Sequence, residues 1–151
     1  MKKILAAIDF SDITTQVIEQ AESLARAFSA HLSLIHVAAP DPDFVGLDAG
    51  PQVVRDDRAR ELRTERQALQ QMAERLQGRG IQADAHLVEG PTVQTIIEQA
   101  DHLHADLLIL GSHGHGAWYR ALVGSVAEGV LRKATCPLLV IPVSRSETEK
   151  S

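Results

Sequence analysis

Short apolar runs alternate along the chain with longer segments in which apolar residues recur every three or four positions. The short runs have the length of β-strands, and the longer segments have the period of amphipathic helices. The predicted strands are Lys3–Asp9, His31–Val37, Ile81–Val88, Asp106–Leu110 and Pro137–Val143. Helical periodicity covers Val17–Phe28, Arg55–Gln77, the segment after Gly90-Pro91, and Ser125–Ala134. Strands that alternate with helices predict an α/β fold with a mostly parallel sheet and helices on both faces.

The predicted strands differ in their patterns. Ile4–Ile8 and the strand Asp106–Leu110 are almost continuously apolar, which indicates burial on both faces. Ile81–Val88 alternates apolar and polar residues, which is typical of a strand half exposed at a sheet edge. The strand that contains Ile4–Ile8 and the strand Asp106–Leu110 are therefore expected at the centre of the sheet.

Residues that favour helix ends flank the helical segments. Ser11 or Asp12 is expected to cap the first helix, and Ser125 the last one. Gly78 and Gly80 are expected to end the long charged helix, since glycine accepts the left-handed backbone common at helix C-termini.

Composition indicates one globular domain, predicted over residues 1–143 and followed by a polar tail over 144–151. Hydrophobic residues make up 44% of the 151 residues and charged ones 23%, which are ordinary globular values. The net charge of −5 argues against a nucleic-acid partner, because such proteins usually carry a basic surplus. Aromatic residues, at 3%, are also too few to provide stacking platforms for bases.

The chain carries the marks of a soluble cytoplasmic protein. Cys136 is the single cysteine, so an intrachain disulfide is excluded and a reducing compartment is favoured. The apolar run Ile4–Ile8 is too short for a signal peptide, and no run has the length of a membrane span. We therefore expect no membrane insertion.

A glycine-rich segment follows the most apolar predicted strand and precedes the last helix. It contains Gly111, Gly114 and Gly116, and it ends in Gly124-Ser125 where the helix begins. Backbone N–H groups of such a loop can converge on an anion, and the helix N-terminus adds further donors. In parallel sheets ligands bind at the carboxyl ends of the strands, where Asp9 is also expected. This arrangement predicts a phosphate site, although the same glycines are compatible with an ordinary loop.

The chemistry around this segment favours binding a nucleotide over rapid hydrolysis. No G-x-x-x-x-G-K-[ST] or G-x-G-x-x-G motif occurs, so no motif lysine is available for the phosphates. Their charge would be met by backbone dipoles and by a bound metal such as Mg or Mn. We expect slow hydrolysis of a bound nucleotide at most, because a cationic clamp for the transition state is not evident.

Several segments resemble the universal stress protein family. The spacing G-x2-G-x9-G-S from Gly111 to Ser125 is similar to its ATP-binding signature. "KKILAAIDFSD" and "LSLIHV" resemble its first two strands, and "ADLLILGSHG" and "LVGSVAEGVLRKATCPLLVIP" resemble its most recognisable segments. The likeness covers nearly the whole chain. It implies a Rossmann-like, adenine nucleotide alpha hydrolase-like fold, with a five-stranded parallel sheet in the order 3-2-1-4-5.

The resemblance also implies an ATP site. Its phosphates would be surrounded by Gly111, Gly114, Gly124 and Ser125, with Ser112 and Val126 adjoining. Asp9 would face the nucleoside with Ala7 nearby, and Val37 would offer main-chain contacts to the base. Position 7 is often proline in members that bind ATP, and Gly116 is an additional loop glycine.

The implied function is that of a cytoplasmic ATP-binding stress-response regulator or sensor. Such members commonly dimerise, and Pro137–Val143 at a sheet edge would pair with a second copy. Two alternatives remain open: a dimeric interaction module that does not depend on nucleotide, and a slow ATPase. The pairs His102/His104 and His113/His115 are interpreted as polar surface residues, with a metal site as the alternative.

Overall fold

The computed structural model describes residues 1–38, 52–113 and 124–143, with side chains from residue 55 onward in the second range. The strands are β1 Lys3–Ala7, β2 His31–Ala38, β3 Ala83–Glu89, β4 Leu107–Gly111 and β5 Leu138–Ile141. The helices are α1 Thr14–Phe28, α2 Gln52–Gly78, α3 Thr92–His102 and α4 Ser125–Lys133. The strands form one parallel sheet in the order β3-β2-β1-β4-β5, which confirms the fold expected from the sequence.

The sheet separates two apolar clusters. One lies under α1 and α2 and includes Ile4, Leu34 and Leu69, and the other lies under α3 and α4 and includes Leu5 and Leu108. The central strands β1 and β4 face both clusters, so their apolar runs are buried, as expected. β3 lies at one edge and is half-buried on both faces along most of its length, which confirms the predicted edge position although burial does not alternate along it. None of the described helices combines the length and apolarity that a membrane span requires.

Three strands are shorter than predicted: β3 begins at Ala83 rather than at Ile81, and local backbone chemistry explains the early ends of β1 and β5. β1 ends at Ala7 rather than at Asp9, because Phe10 adopts a left-handed backbone, with φ 61°, that turns the chain away from the sheet. β5 covers Leu138–Ile141 and is flanked by Pro137 and Pro142. Proline has no N–H to donate to the ladder, so the strand is limited to the residues between them.

The predicted helix caps were wrong. α1 begins after Ile13 without a side-chain cap, so Ser11 and Asp12 precede the cap position, and the N–H of Ser11 donates to the carboxylate of Asp9 at 2.9 Å. At α4 the cap residue is Gly124, and Ser125 is the first helical residue. The predicted end of α2 is correct: the helix ends at Gly78, and Gly80 has φ 87°.

Candidate nucleotide-binding site

The candidate site lies where β1 and β4 end side by side at the centre of the sheet. Their register pairs Ile4 with Leu107 and Ala6 with Ile109, so both chains leave the sheet at the same edge. From β1 the chain winds toward β2 and β3, and from β4 it winds the opposite way toward β5. This reversal leaves a crevice between the two connections, which is the usual ligand position in such sheets.

Gly124 brings the start of α4 into contact with the end of β4. Its N–H donates to the carbonyl of Ser112 at 2.6 Å, and the N–H of Ser112 donates to the carbonyl of Ile141 at 2.7 Å. A Cβ at position 124 would lie 2.9 Å from the Ser112 oxygen, which is too close for any side chain. Glycine is therefore required here by a close backbone approach, and Ser112 itself is buried.

The first turn of α4 supplies main-chain donors at this edge. The intrahelical ladder begins with the N–H of Glu128 bonding the carbonyl of Gly124, so the N–H groups of Ser125, Val126 and Ala127 have no acceptor within the helix. Ser125 and Val126 are exposed. The N–H of Gly124 already donates to the carbonyl of Ser112, so the donors that could reach a ligand at this edge are the N–H groups of Ser125 and Val126. The positive end of the helix dipole favours an anion beside them.

Gly111 allows the segment between β1 and α1 to pack against the end of β4. A Cβ at position 111 would lie 2.7 Å from Cγ2 of Ile13, whose side chain is buried in the core. The segment that carries Asp9 is thus held against the strand that leads into the glycine loop. Gly111 acts here through packing, which the glycine spacing alone did not reveal.

The three predicted nucleoside contacts lie at the ends of β1 and β2. Ala7 is the last residue of β1 and is half-buried against the cluster under α3 and α4, while Asp9 is exposed two residues later. The β1–β2 ladder closes with the N–H of Ile8 donating to the carbonyl of Ile35 at 2.7 Å. Alternate residues of a strand direct their N–H and C=O groups toward the same neighbouring strand. The backbone groups of Val37, like those of Ile35, therefore face β1, but at a position beyond the bond between Ile8 and Ile35.

Gly114 and Gly116 lie outside the described residues. The structure therefore brings together Gly111, Ser112, Gly124, Ser125 and Val126 at the β4–α4 junction, with Ala7, Asp9 and Val37 at the neighbouring strand ends. His113 follows directly, and its Nδ1 lies 3.0 Å from the hydroxyl of Ser112.

Sequence reasoning missed His36, near the end of β2. Its Nδ1 lies 2.7 Å from the carbonyl oxygen of Ile8, and its Nε2 lies 3.3 Å from a carboxylate oxygen of Glu65 on α2. Its ring also contacts the ring of Phe10, with centroids 4.7 Å apart. The available signal was a titratable residue interrupting the apolar run "LSLIHV" on the face that α2 covers.

Groups with shifted pKa values lie elsewhere in the molecule. Burial raises the pKa of Asp84, but hydrogen bonds from Ser33 and His31 outweigh it, so the net pKa is lowered. Backbone N–H groups of Lys2 and Lys3 lower the pKa of Asp106. These carboxylates belong to the amino-terminal half of the sheet, opposite the candidate site.

Cys136 and the pair His102/His104 do not form a reactive or metal-binding centre in the described part of the chain, and His115 of the second pair lies outside the described residues. Burial, together with Asp101, raises the pKa of the Cys136 thiol, which disfavours the nucleophilic thiolate. His102 and His104 are exposed at the end of α3. No group of three or more histidine, cysteine, aspartate or glutamate side chains suited to a metal ion occurs among the residues that the structure describes.

Comparison with known proteins places these features in a family. The profile of the universal stress protein family matches residues 1–142. A universal stress protein of Methanocaldococcus jannaschii is 33% identical over 147 residues, covering 97% of this chain and 85% of that protein. One from Thermus aquaticus is 31% identical over 142 residues, covering 93% and 98% of the two chains.

Solved structures show the same fold. The hypothetical protein MJ0577 superposes with a TM-score of 0.81 at 24% identity, covering 96% of this chain and 98% of that one. A universal stress protein in complex with cAMP gives a TM-score of 0.62 at 23% identity, covering 93% and 95%. One from Archaeoglobus fulgidus in complex with dAMP gives 0.63 at 21% identity, covering 93% and 98%.

Proposed function

Because the chain belongs to the universal stress protein family, we propose that it is a cytoplasmic stress-response regulator that binds ATP at the carboxyl edge of its sheet. The observation that carries the proposal is the contact of Gly124 with Ser112, which sets the first turn of α4 beside the ends of β4 and β1. Two proteins of this fold have been solved with adenine nucleotides, which supports a nucleotide as the ligand class.

In the proposed complex the phosphates accept hydrogen bonds from the N–H groups of Ser125 and Val126. Gly111, Ser112, Gly114, Gly116 and Gly124 form the surrounding loop and its two ends. Asp9 accepts hydrogen bonds from the ribose, Ala7 packs beside it, and the main chain of Val37 bonds the base. Main-chain dipoles carry much of the binding, and Mg or Mn would accompany the phosphates.

Calorimetry on nucleotide-stripped protein tests this proposal. We expect heat and a higher melting temperature with ATP, because a ligand that binds only the folded state stabilises it. Mass spectrometry of nucleotide that copurifies with the chain would identify the preferred base and number of phosphates. Absence of both heat and thermal shift would favour the alternative, an interaction module that works without nucleotide. Rapid hydrolysis of ATP by the protein would contradict the proposal that it is a regulator.

We further propose that two copies pair through β5, in the stretch from Pro137 to Val143. β5 is an edge strand that pairs with β4 on one side, and Leu138, Leu139 and Val140 are each only half-buried. Leu131 and Val143 nearby in sequence are largely exposed, at 62% and 55%. A second β5 would cover this apolar edge. Sedimentation at about 10–50 μM, a range in which moderate self-association is measurable, should show a dimer, and Val140→Lys should give monomer.

A further inference from the structure

Gly129 lies in the interior of α4, where glycine is the least favourable residue after proline. A Cβ at this position would lie 2.8 Å from Cγ2 and 3.3 Å from Cγ1 of Val93 on α3, and the first of these distances is too short for a real contact. Val93 is β-branched and prefers one rotamer in a helix, so it cannot easily withdraw both methyl groups. Glycine at position 129 therefore lets α4 lie closer to α3 than any other residue would.

The contact lies one helical turn from the proposed phosphate donors. Residues four apart lie on the same side of a helix, so Gly129 is one turn further along α4 than Ser125. Ala127 and Val130 of the same helix are buried in the cluster under α3 and α4. The helix is thus held by the sheet on one side and by α3 on another. A side chain at position 129 would push the first turn, with the N–H groups of Ser125 and Val126, away from α3.

Val93 is anchored to the end of β2. The N–H of Gly90 donates to the carbonyl of Ala38 at 3.2 Å, and Ala38 is the last residue of β2, next to Val37. Gly90 has φ 154°, and a Cβ there would lie 2.5 Å from Oγ1 of the buried Thr95, so the turn into α3 requires glycine. Val93 follows three residues later, in the first turn of α3. Its methyl groups are therefore held near the strand end that would bond the base.

A hydrogen bond joins the two helices at their other ends. The hydroxyl of Thr135, two residues after α4, donates to the carboxylate of Asp101 near the end of α3 at 2.7 Å. Both helices run in the same direction, because each follows the carboxyl end of a strand in a parallel sheet. With their far ends joined, the distance between their near ends depends on how closely Gly129 approaches Val93.

We propose that the contact between Val93 and Gly129 is a positioning element that sets the distance between the end of β2 and the first turn of α4. The base would bond the main chain of Val37, and the phosphates would accept from the N–H groups of Ser125 and Val126. This distance must therefore match the span from base to phosphates. The contact then controls the affinity for the phosphates separately from the affinity for the nucleoside. The inference rests on the proposed nucleotide function and adds two positioning residues that touch no ligand.

Gly129→Ala tests the inference with ATP and adenosine as the two ligands. We expect ATP to bind about three- to fivefold more weakly, as for one misaligned hydrogen bond, because the first turn of α4 is displaced from the phosphates. Adenosine carries no phosphate, so its affinity should be unchanged. Calorimetry measures the binding of ATP, and NMR titration measures that of adenosine. Gly78→Ala adds the same methyl group where nothing lies within 4 Å, so this matched control should leave both affinities unchanged.

Val93→Ala is the rescue variant, because it lacks the two methyl groups that the new Cβ would meet. In this background Gly129→Ala should no longer weaken ATP binding. Alanine also favours a helix more than glycine does, so thermal unfolding should show the double variant to be at least as stable as Val93→Ala alone. Weakened ATP binding that persists in the double variant would overturn the inference, since Gly129 would then act through its own backbone and not through the contact.

An NMR readout without nucleotide separates failure of this inference from failure of the proposed function. The amide signals of Ser125 and Val126 should shift in Gly129→Ala and return toward their wild-type positions in the double variant. Unshifted signals, wild-type ATP affinity in Gly129→Ala, or an equal loss of ATP and adenosine affinity would overturn the inference while the proposed function stands. If the wild type binds no ATP, the proposed function is wrong and the nucleotide role of the contact falls with it.

Discussion

The two ends of the sheet satisfy their backbone in opposite ways. At the amino end a carboxylate closes exposed N–H groups: Oδ2 of Asp106 accepts from the backbone of Lys2 and Lys3 at 2.8 and 3.0 Å. At the carboxyl end a glycine replaces the side chain, and Gly124 bonds Ser112 through the main chain alone. In the first arrangement a carboxylate of the protein itself accepts the hydrogen bonds of these N–H groups. The second uses no charged side chain, and α4 itself offers no acceptor to the N–H groups of Ser125 and Val126, so this is the end at which the proposed anion would bind.

Adding one methyl group at the carboxyl end should have the largest effect. Gly124→Ala places Cβ 2.9 Å from the Ser112 oxygen, so the start of α4 must shift even though its φ of −71° suits alanine. We expect ATP binding to weaken about a hundredfold, because one or two charge-assisted hydrogen bonds to phosphate are misaligned. Calorimetry measures the change.

Gly78→Ala is the matched control for Gly124→Ala. Gly78 ends α2, and a Cβ there has nothing within 4 Å. Unchanged ATP affinity is expected for this variant. If Gly124→Ala folds normally and binds ATP as well as Gly78→Ala does, the close backbone approach has no part in ligand binding.

Sequence patterns predicted the fold well because they record burial directly. The apolar runs around Leu5 and Leu108 identified the two central strands, and the alternation around Asp84 identified an edge strand. Strand ends were less predictable, since β1 ends through the left-handed backbone of Phe10, which no local pattern requires. The cap predictions failed because α1 begins at Thr14, beyond Ser11 and Asp12, and because Gly124 takes the cap position expected for Ser125.

The candidate site was predictable only where it depends on spacing. The spacing between Gly111 and Gly124 in the sequence indicated that both glycines belong to one site. The structure shows that a Cβ at either position would lie too close to a neighbouring atom. The spacing in the sequence could not show that the N–H of Gly124 donates to the carbonyl of Ser112. Nor could the sequence show that His36 contacts Glu65, which lies in a helix distant along the chain.

Gly111→Ala should have the second largest effect and should act through packing. Its Cβ would lie 2.7 Å from Cγ2 of the buried Ile13, so we expect unfolding free energy to fall by about 1–2 kcal/mol, as for other overpacked sites. ATP binding should weaken severalfold, because the segment carrying Asp9 is displaced. Urea denaturation and calorimetry measure the two effects.

A double-mutant cycle sharpens the Gly111 prediction. Ile13→Ala alone removes the clashing methyl and should cost about 2–4 kcal/mol as a buried truncation. In the Ile13→Ala background the additional cost of Gly111→Ala should be close to zero. Additive costs would show that Gly111 matters for its backbone and not for the contact with Ile13.

At the amino half of the sheet, Asp84→Asn should reduce stability without affecting ATP. Burial raises the pKa of Asp84, but hydrogen bonds from Ser33 and His31 outweigh this effect, so the net pKa lies below 3.8. A lowered carboxyl pKa stabilises the fold above the unfolded value, and this contribution is lost as the pH falls through the folded pKa. We expect a loss below about 1 kcal/mol, because the side chain is substantially exposed. Urea titrations should show the difference at pH 7 and its decrease as the pH is taken below 3.8, and a difference that does not decrease there would contradict this account.

Asp106→Asn should have the smallest effect and completes the contrast between the two ends. Two backbone N–H groups, from Lys2 and Lys3, lower the pKa of Asp106 below 3.8, so its charge stabilises the fold above 3.8 and this contribution is lost as the pH falls through the lower pKa of the folded state. The amide oxygen of asparagine can still accept both bonds, so calorimetry should detect only a slight decrease in melting temperature at neutral pH, and Asp106→Ala a larger one. ATP affinity should be unchanged in both variants. Weaker ATP binding in Asp106→Asn would show that the amino end of the sheet contributes to the site, and the separation of the molecule into a self-satisfied end and a binding end would then be wrong.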